Sequence, residues 1–180
     1  MGTPREPKPA KYFVAILSAE RDLLSAVEGD LTTIFGAIDA RSEVLPWTAS
    51  KFYEKEMGPG LLRRFVSFES LESPGKLADI KLATQEIEEN YRRQTSGEAG
   101  RRVNLDPGYV ESGKVVLAST KNASQRIYLH SGIYAEATLQ FHSGEFHGSP
   151  YTYPDYLWPE TITFLISLRS LCLDQLRRFE

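Results

Sequence analysis

The chain has 180 residues, a formal net charge of −3 and a pI near 5.7. Its balance of 41% hydrophobic and 25% charged residues excludes a disordered or fibrous protein, and its single cysteine excludes an internal disulfide and a multi-cysteine zinc site. We predict one domain over residues 1–180. Because its net charge is negative, the chain has no overall positive field that would favour nucleic-acid binding.

The N-terminal segment differs from the rest in composition. Residues 1–10 are rich in proline and charge, and we predict that they form a flexible arm. We see no apolar stretch suited to a secretory signal or a membrane span, and a lone cysteine fits a reducing compartment. We therefore predict a cytoplasmic protein that has no membrane partner.

The first half of the chain alternates strand and helix signals. In chain order these are a strand at 12–17, a helix from Ser18 to Gly36, a strand at 40–45, a short helix within 48–60, a strand at 65–68, a helix at 76–93 and a strand at 102–105. The order βαββαβ is the ferredoxin-like pattern.

The second half is predicted to be richer in strands. A turn and a helix are predicted over 108–118, a hairpin joins 127–129 to 133–141, and apolar periodicity predicts a helix over 160–179. The predicted fold class is therefore α+β: a single domain whose mixed sheet has a ferredoxin-like start, an added hairpin and a C-terminal helix.

The string from Gly108 to Lys114 has the glycine and lysine spacing of a phosphate loop. Val115, however, stands where a serine or threonine must hold magnesium, and the turn dipeptide Asp106-Pro107 precedes the string instead of an apolar strand. We interpret the string as the first turn of the predicted helix.

The first candidate site combines Tyr53 and Glu56 from the short helix with Arg64 from the strand that follows. A carboxylate and a guanidinium across a cleft would hold a polar ligand between them. The alternative is that the alternating charges form a solvated helix face.

A second candidate site lies on the strand at 102–105, where Arg102, Asn104 and Asp106 project from one face because side chains alternate along a strand. If this polar face is buried, it needs a hydrogen-bond network, which is either structural or part of a binding site. Asp106 before a proline is equally compatible with a simple turn.

A third candidate site follows residue 118. Lys121 and Arg126 belong to a loop that also carries hydroxyl groups, a combination suited to phosphate, and Tyr134 and Glu136 share one face of the hairpin strand. The alternative is an exposed loop of solvated charges. The spacing of His142 and His147 matches no helical zinc motif, so no metal ligand is assigned.

Several segments distributed along the chain are distinctive: FYEKEMGPGLLRRFVSFESL, LADIKLATQEIE, RRVNLDPGY, KVVLASTK, RIYL, GIYAEATL and YTYPDY. Together they resemble a bacterial domain-of-unknown-function family, family 4416, over nearly the whole chain. Some members of that family are labelled "GTP-binding protein". The resemblance implies that the candidate residues above, Arg102 excepted, belong to a shared polar pattern together with Glu54, Lys55 and Arg63, but it implies no cofactor and no specific reaction.

Three functions remain open. The first is binding of a phosphate-bearing small molecule such as a nucleotide, with Arg64, Arg102, Lys121 and Arg126 meeting in one pocket. The second is a divalent-metal-dependent hydrolase or transferase that uses Asp106 and Glu136, with Glu56 or Tyr53 transferring protons. The third is a non-catalytic domain that binds a protein or RNA. The sequence does not decide whether the protein is an enzyme.

Overall fold

The fold is a single sheet with helices on both of its faces. The computed structural model describes residues 2–92 and 100–178. Its elements are, in chain order, β1 (Ala10–Ser18), α1 (Arg21–Phe35), β2 (Ile38–Arg41), β3 (Leu45–Pro46), α2 (Glu54–Met57), β4 (Leu62–Glu72), α3 (Leu77–Asn90), β5 (Val103–Val110), β6 (Lys114–Ser119), β7 (Ile127–Tyr128), β8 (Tyr134–His142), β9 (Glu145–Gly148) and α4 (Pro159–Arg177).

The sheet confirms the ferredoxin-like start. Its strand order is β2-β4-β1-β5-β6-β8-β7, with β3 on β4 and β9 on β8. The two central strands β1 and β4 are flanked by β2 and β5, which is the split βαβ arrangement, and β7 pairs with β8 as the added hairpin. Every pairing between described strands is antiparallel, so the parallel pairs of a mixed sheet are absent from this part of the chain.

Helices cover the two faces of the sheet with different parts of the core. On one face, α1 packs Leu24, Val27 and Leu31 against the β1 residues Val14 and Ile16, and α3 adds Ile87. On the other face, α4 packs the apolar residues Phe164, Leu165 and Leu168 against β1 and β4. Burying each such side chain contributes about 1.5–3 kcal/mol, which is why apolar spacing predicted α1, α3 and α4.

The prediction of a helix over 108–118 is wrong. These residues belong to β5 and β6, which form a hairpin in which Val110 pairs with Val115. Both faces of β6 are buried between helices, so its apolar run is continuous and lacks the alternation of a half-exposed strand. Asp106 and Pro107 lie inside β5 and do not form a turn. The string Gly108 to Lys114 is therefore a strand end and a hairpin turn, with no helix start to hold phosphate.

Strands β5 and β6 separate on one side of Gly108, and this separation positions the candidate site. β5 pairs with β1 over its whole length, but its pairing with β6 begins only at Gly108, opposite Leu117. Pro107 has no N–H to offer a neighbouring strand. The exposed backbone edge is completed by α3, since Glu88 accepts a hydrogen bond from the Leu105 N–H and Lys81 donates one to the Leu105 carbonyl at 2.6 Å.

The remaining differences from the predicted elements are small. The first helix begins at Arg21 and not directly after Ser18. Ser18 Oγ accepts a hydrogen bond from the Glu20 N–H, in the short turn that precedes the helix. Strand β9 was not predicted, and the predicted helix ends Arg93 and Phe179 lie outside the described residues. Among the described helices, none combines the length and the apolar character needed to cross a bilayer.

Candidate ligand site between β5 and β6

A cavity of about 430 Å³ lies where β5 and β6 separate, and we call it the β5–β6 cleft. Its size falls within the range of small-molecule sites, about 300–1,000 Å³. Its walls come from both faces of the sheet, because α3 contributes side chains through the gap between the strands. Its lining includes the following polar and aromatic residues: Trp47, Phe52, Tyr53, Arg63, Lys81, Glu88, Arg101, Asn104, Asp106, Ser119, Thr120, Lys121, Tyr153, Asp155 and Tyr156.

Arg63 is the buried charge at the deep end of the cleft. Its side chain is 3% exposed, its Nη2 lies 3.0 Å from Asp155 Oδ2, and its Nη1 lies 3.5 Å from Asp106 Oδ2. The guanidinium also packs 4.8 Å from the centre of the Trp47 ring. Burial disfavours the charged form, but the two carboxylates outweigh that effect and leave the pKa of Arg63 raised. Arg63 is therefore a permanent cation held by two carboxylates.

Three polar atoms at this deep end have no hydrogen-bond partner among the described residues: Arg63 Nε, Asp155 Oδ2 and the Tyr156 hydroxyl. The Asp155 oxygen forms an ion pair with Arg63 Nη2 at 3.0 Å and accepts no hydrogen bond from any other described residue. Asp155 and Tyr156 are each 1% exposed. Burial raises the pKa of the Asp155 carboxyl, and Arg63 opposes the rise. Unpaired polar atoms this deeply buried are unusual in folded proteins.

A hydrogen-bond chain connects Asp106 to the outer wall of the cleft. Asn104 Nδ2 donates to Asp106 Oδ2 at 2.7 Å, and Arg101 Nη1 donates to Asn104 Oδ1 at 2.8 Å. Arg101 also forms a bidentate pair with Glu56, and these hydrogen bonds lower the pKa of that carboxyl. On the inner side, Lys81 Nζ lies 3.8 Å from Asp106 Oδ1. The polar face of β5 is thus a connected network.

Arg126 fixes the loop that forms the mouth of the cleft. It pairs with the buried Glu136 at 2.8 Å, and it donates to Ser119 Oγ at 2.7 Å and to the Lys121 carbonyl at 3.0 Å. Its remaining nitrogen donates to the Tyr153 hydroxyl at 2.7 Å. These contacts join the loop after β6 to the opposite wall, so the backbone next to Lys121 is held in place.

Four of the ten candidate residues line the cleft: Tyr53, Asn104, Asp106 and Lys121. Glu56 and Arg126 contact lining residues, and the Glu136 carboxylate is joined to the site through Arg126. The other three lie elsewhere. Arg64 pairs with Glu28 of α1, Arg102 pairs with Glu20, and the Tyr134 ring packs 5.3 Å from Tyr128.

The expected meeting of Arg64 and Arg102 with Lys121 and Arg126 is therefore not what the structure shows. Consecutive residues of a strand face opposite ways, so Arg63 enters the cleft while Arg64 faces α1. Arg102 precedes β5 and turns to Glu20. The sequence interpretation did not include Arg63, Lys81, Glu88, Asp155 or Tyr156 among the candidate site residues, although the resemblance placed Arg63 in the shared polar pattern. The signals for them were the Arg63-Arg64 pair and the segments LADIKLATQEIE, which contains Lys81 and Glu88, and YTYPDY, which contains Asp155 and Tyr156.

The carboxylates proposed for metal binding already have cationic partners. Arg126 pairs with Glu136, and Arg63 and Lys81 lie beside Asp106. Within residues 2–92 and 100–178, no group of three or more His, Cys, Asp or Glu side chains is arranged to hold a metal ion. Burial raises the pKa of Tyr53 to about 12, and Glu56 is held ionised by Arg101. Neither side chain is poised for proton transfer near neutral pH.

Glu88 gives the fold a testable dependence on pH. Burial raises the pKa of its carboxyl above 4.5, although Lys81 and the Leu105 N–H oppose the rise. Between 4.5 and the raised value, the folded protein holds a proton that the unfolded chain has lost, so the free energy of unfolding falls as pH rises through this window. We expect the stability of wild type relative to Glu88→Gln to fall as pH rises from 4.5 through the raised pKa of Glu88.

Urea denaturation of both proteins across this range measures the effect. The control is Glu89→Gln, because Glu89 is exposed and pairs only with Arg92 among the described residues. Its stability profile is expected to run parallel to that of wild type. A wild-type minus Glu88→Gln difference that does not change with pH contradicts the prediction.

Comparisons with known proteins agree with the resemblance seen in the motifs. The family described as Domain of unknown function (DUF4416) matches residues 8–171, which is nearly the whole chain. The search of curated proteins and the search of solved structures each returned no match. The matched range contains every residue that lines the β5–β6 cleft. Because the match covers nearly the whole chain, the chain belongs to the DUF4416 family.

Proposed function

We propose that the β5–β6 cleft binds a small molecule that carries a phosphate group, such as a nucleotide. The observation that supports this most directly is Lys121 at the mouth of a cavity with aromatic walls. Lys121 has no carboxylate partner among the described residues, whereas Arg63, Lys81, Arg101 and Arg126 each have at least one. Its charge is therefore available to an anionic ligand.

The loop around Lys121 supplies further donors for phosphate. Ser119 and Thr120 carry hydroxyl groups beside the lysine, and hydroxyls and ammonium groups both donate to phosphate oxygens. Arg126 holds this loop through Ser119 Oγ and the Lys121 carbonyl. Because the charge of Arg126 is offset by Glu136, we assign it to positioning the loop. A preformed loop lowers the entropy cost of binding.

Aromatic side chains provide a surface for a planar ring. The rings of Phe52 and Tyr53 are in edge-to-face contact with their centroids 5.2 Å apart, and those of Tyr53 and Trp47 with their centroids 6.0 Å apart. Lys121 Nζ lies 5.1 Å from the Phe52 ring, so the cation and the first ring are adjacent at the mouth. Stacking of a base on an aromatic side chain contributes about 1–3 kcal/mol. Rings next to a cation are the combination that a nucleotide requires.

The test is calorimetric titration of wild type and Lys121→Ala with nucleoside mono-, di- and triphosphates, sugar phosphates and inorganic phosphate. Loss of one charge-assisted contact is expected to weaken nucleotide binding about 10-fold or more. Lys114→Ala is the matched control. Lys114 is at the other end of β6, pairs with Glu111, and is expected to have no effect.

Each other outcome favours a different function. Binding that is equal in wild type and Lys121→Ala contradicts the phosphate assignment. A response to divalent metal alone, lost in Asp106→Asn and Glu136→Gln, would favour the metal-dependent hydrolase or transferase. No response to any small molecule or metal would favour the protein- or RNA-binding domain.

A further inference from the structure

We infer that the deep end of the β5–β6 cleft recognises the hydrogen-bonding edge of a nitrogen heterocycle, while the phosphate group stays at the mouth. The inference rests on the proposed function and extends it, because it assigns a direction to the ligand and a role to residues at the opposite end of the cleft from Lys121.

The first argument is the set of polar atoms that Arg63, Asp155 and Tyr156 present without a hydrogen-bond partner among the described residues. Arg63 Nε offers a donor, the Tyr156 hydroxyl offers both a donor and an acceptor, and Asp155 Oδ2 keeps acceptor capacity beside its ion pair with Arg63 Nη2 at 3.0 Å. An atom left unsatisfied in a protein interior destabilises the fold, because it has given up its hydrogen bonds to water. A base edge with an N–H beside a carbonyl or ring nitrogen carries the complementary acceptor and donor.

The second argument is the charge at the deep end. The Arg63 guanidinium lies between Asp155 and Asp106, and the Lys81 ammonium lies 3.8 Å from Asp106 and 4.0 Å from Glu88. These cations are therefore already matched by carboxylates, and a phosphate dianion placed here would face Asp155 and Asp106 at short range. A neutral polar edge avoids that repulsion. The mouth, with Lys121, is the better place for phosphate.

The third argument is a continuous series of rings between the two ends. Lys121 lies over Phe52, Phe52 contacts Tyr53, and Tyr53 contacts Trp47. Trp47 in turn lies against the Arg63 guanidinium. A ligand that has phosphate at one end and a flat heterocycle at the other follows this aromatic wall from the mouth to the buried polar atoms.

The experiment compares four probes in calorimetric titrations: a nucleoside 5′-monophosphate, the matching nucleoside, ribose 5-phosphate and inorganic phosphate. The key variant is Tyr156→Phe, which removes one hydroxyl and keeps the ring that packs on Phe13 and Phe65. Asp155→Asn is the second variant, and circular dichroism checks the fold of both. We expect ribose 5-phosphate to bind wild type at least about 10-fold more weakly than the nucleotide.

The variants separate the two ends of the site. Tyr156→Phe and Asp155→Asn are expected to weaken nucleotide and nucleoside binding about 10-fold and to leave ribose 5-phosphate binding unchanged. Lys121→Ala is expected to weaken only the probes that carry phosphate. Equal affinity for nucleotide and ribose 5-phosphate, or an equal loss for both in Tyr156→Phe, overturns the inference and leaves the proposed function standing.

The converse outcome is also distinguishable. If the nucleoside binds, Tyr156→Phe weakens that binding and phosphate adds no affinity, then the edge-recognition inference holds and the phosphate proposal fails. If none of the four probes binds to wild type, both proposals are overturned.

Discussion

Replacing Arg63 by methionine is expected to lower the free energy of unfolding by about 3–5 kcal/mol. Arg63 is buried, and it is the cation between Asp155 at 3.0 Å and Asp106 at 3.5 Å. Methionine fills similar space but leaves Asp155, which is 1% exposed, without its neutralising charge. Removing one member of a buried ion pair costs far more than the net contribution of the pair, because the remaining charge stays desolvated.

The variant Arg64→Met, one residue along β4, is the matched control. Arg64 lies on the opposite face and pairs with Glu28, which keeps Arg41 as a second partner at 2.7 Å. We expect this variant to lose at most about 1 kcal/mol. Urea denaturation at pH 7 measures both effects. If the two arginine variants lose the same stability, the buried charge cluster does not stabilise the fold as argued here.

The double variant Arg63→Met/Asp155→Leu tests the cause. If the cost comes from an uncompensated carboxylate, removing that carboxylate as well recovers much of the stability, since apolar pairs often replace buried ion pairs without net loss. The pH dependence has the same origin. Asp155 takes up a proton more readily once Arg63 is gone, so the loss in Arg63→Met is expected to be smaller at pH 5 than at pH 7.

Most of the elements were predictable because they depend on local periodicity. The apolar run of β1 and the helical spacing in α1, α3 and α4 come from burial against a single sheet, and the structure confirms them. The segment 115–118 differs, because four consecutive apolar residues suit a helix and a fully buried strand equally well. Its state is decided by pairing with β5 across the tight turn at Ser112-Gly113 and with β8, about twenty residues further along the chain. The turn is a local signal, but the pairing with β8 is not encoded locally.

The site was predictable only in part for the same reason. Asn104, Asp106 and Lys121 were identified from their polarity in strand or loop segments, and all three line the cleft. The sequence did not indicate which of Arg63 and Arg64 faces inward, because that depends on the register of β4 against β1. From the sequence, Lys81 and Glu88 belong to the charged face of α3, which is expected to face solvent. Their hydrogen bonds to the free edge of β5 depend on how α3 packs on the sheet, which the sequence does not show.

Gly108 marks the point where β5 and β6 meet, and it was singled out in the sequence for a different reason. It has no positive φ, so its role is not turn conformation. A Cβ atom built on it would lie 2.6 Å from the Val116 carbonyl oxygen, 2.7 Å from Leu117 Cδ2 and 2.9 Å from Phe13 Cζ. The nearest of these atoms belongs to the backbone of the paired strand and is unable to move without disturbing the hairpin.

We therefore expect Gly108→Ala to lower the free energy of unfolding by about 2–3 kcal/mol, in the upper part of the range for overpacked cores. Gly113→Ala is the control, because a Cβ atom at Gly113 meets nothing within 4 Å in the hairpin turn, and it is expected to change stability by less than about 0.5 kcal/mol. Chemical denaturation compares the two variants. The strand contact at Gly108 predicts a loss of stability in Gly108→Ala alone. A phosphate loop at 108–114 would instead predict that both variants lose ligand binding and keep the stability of wild type.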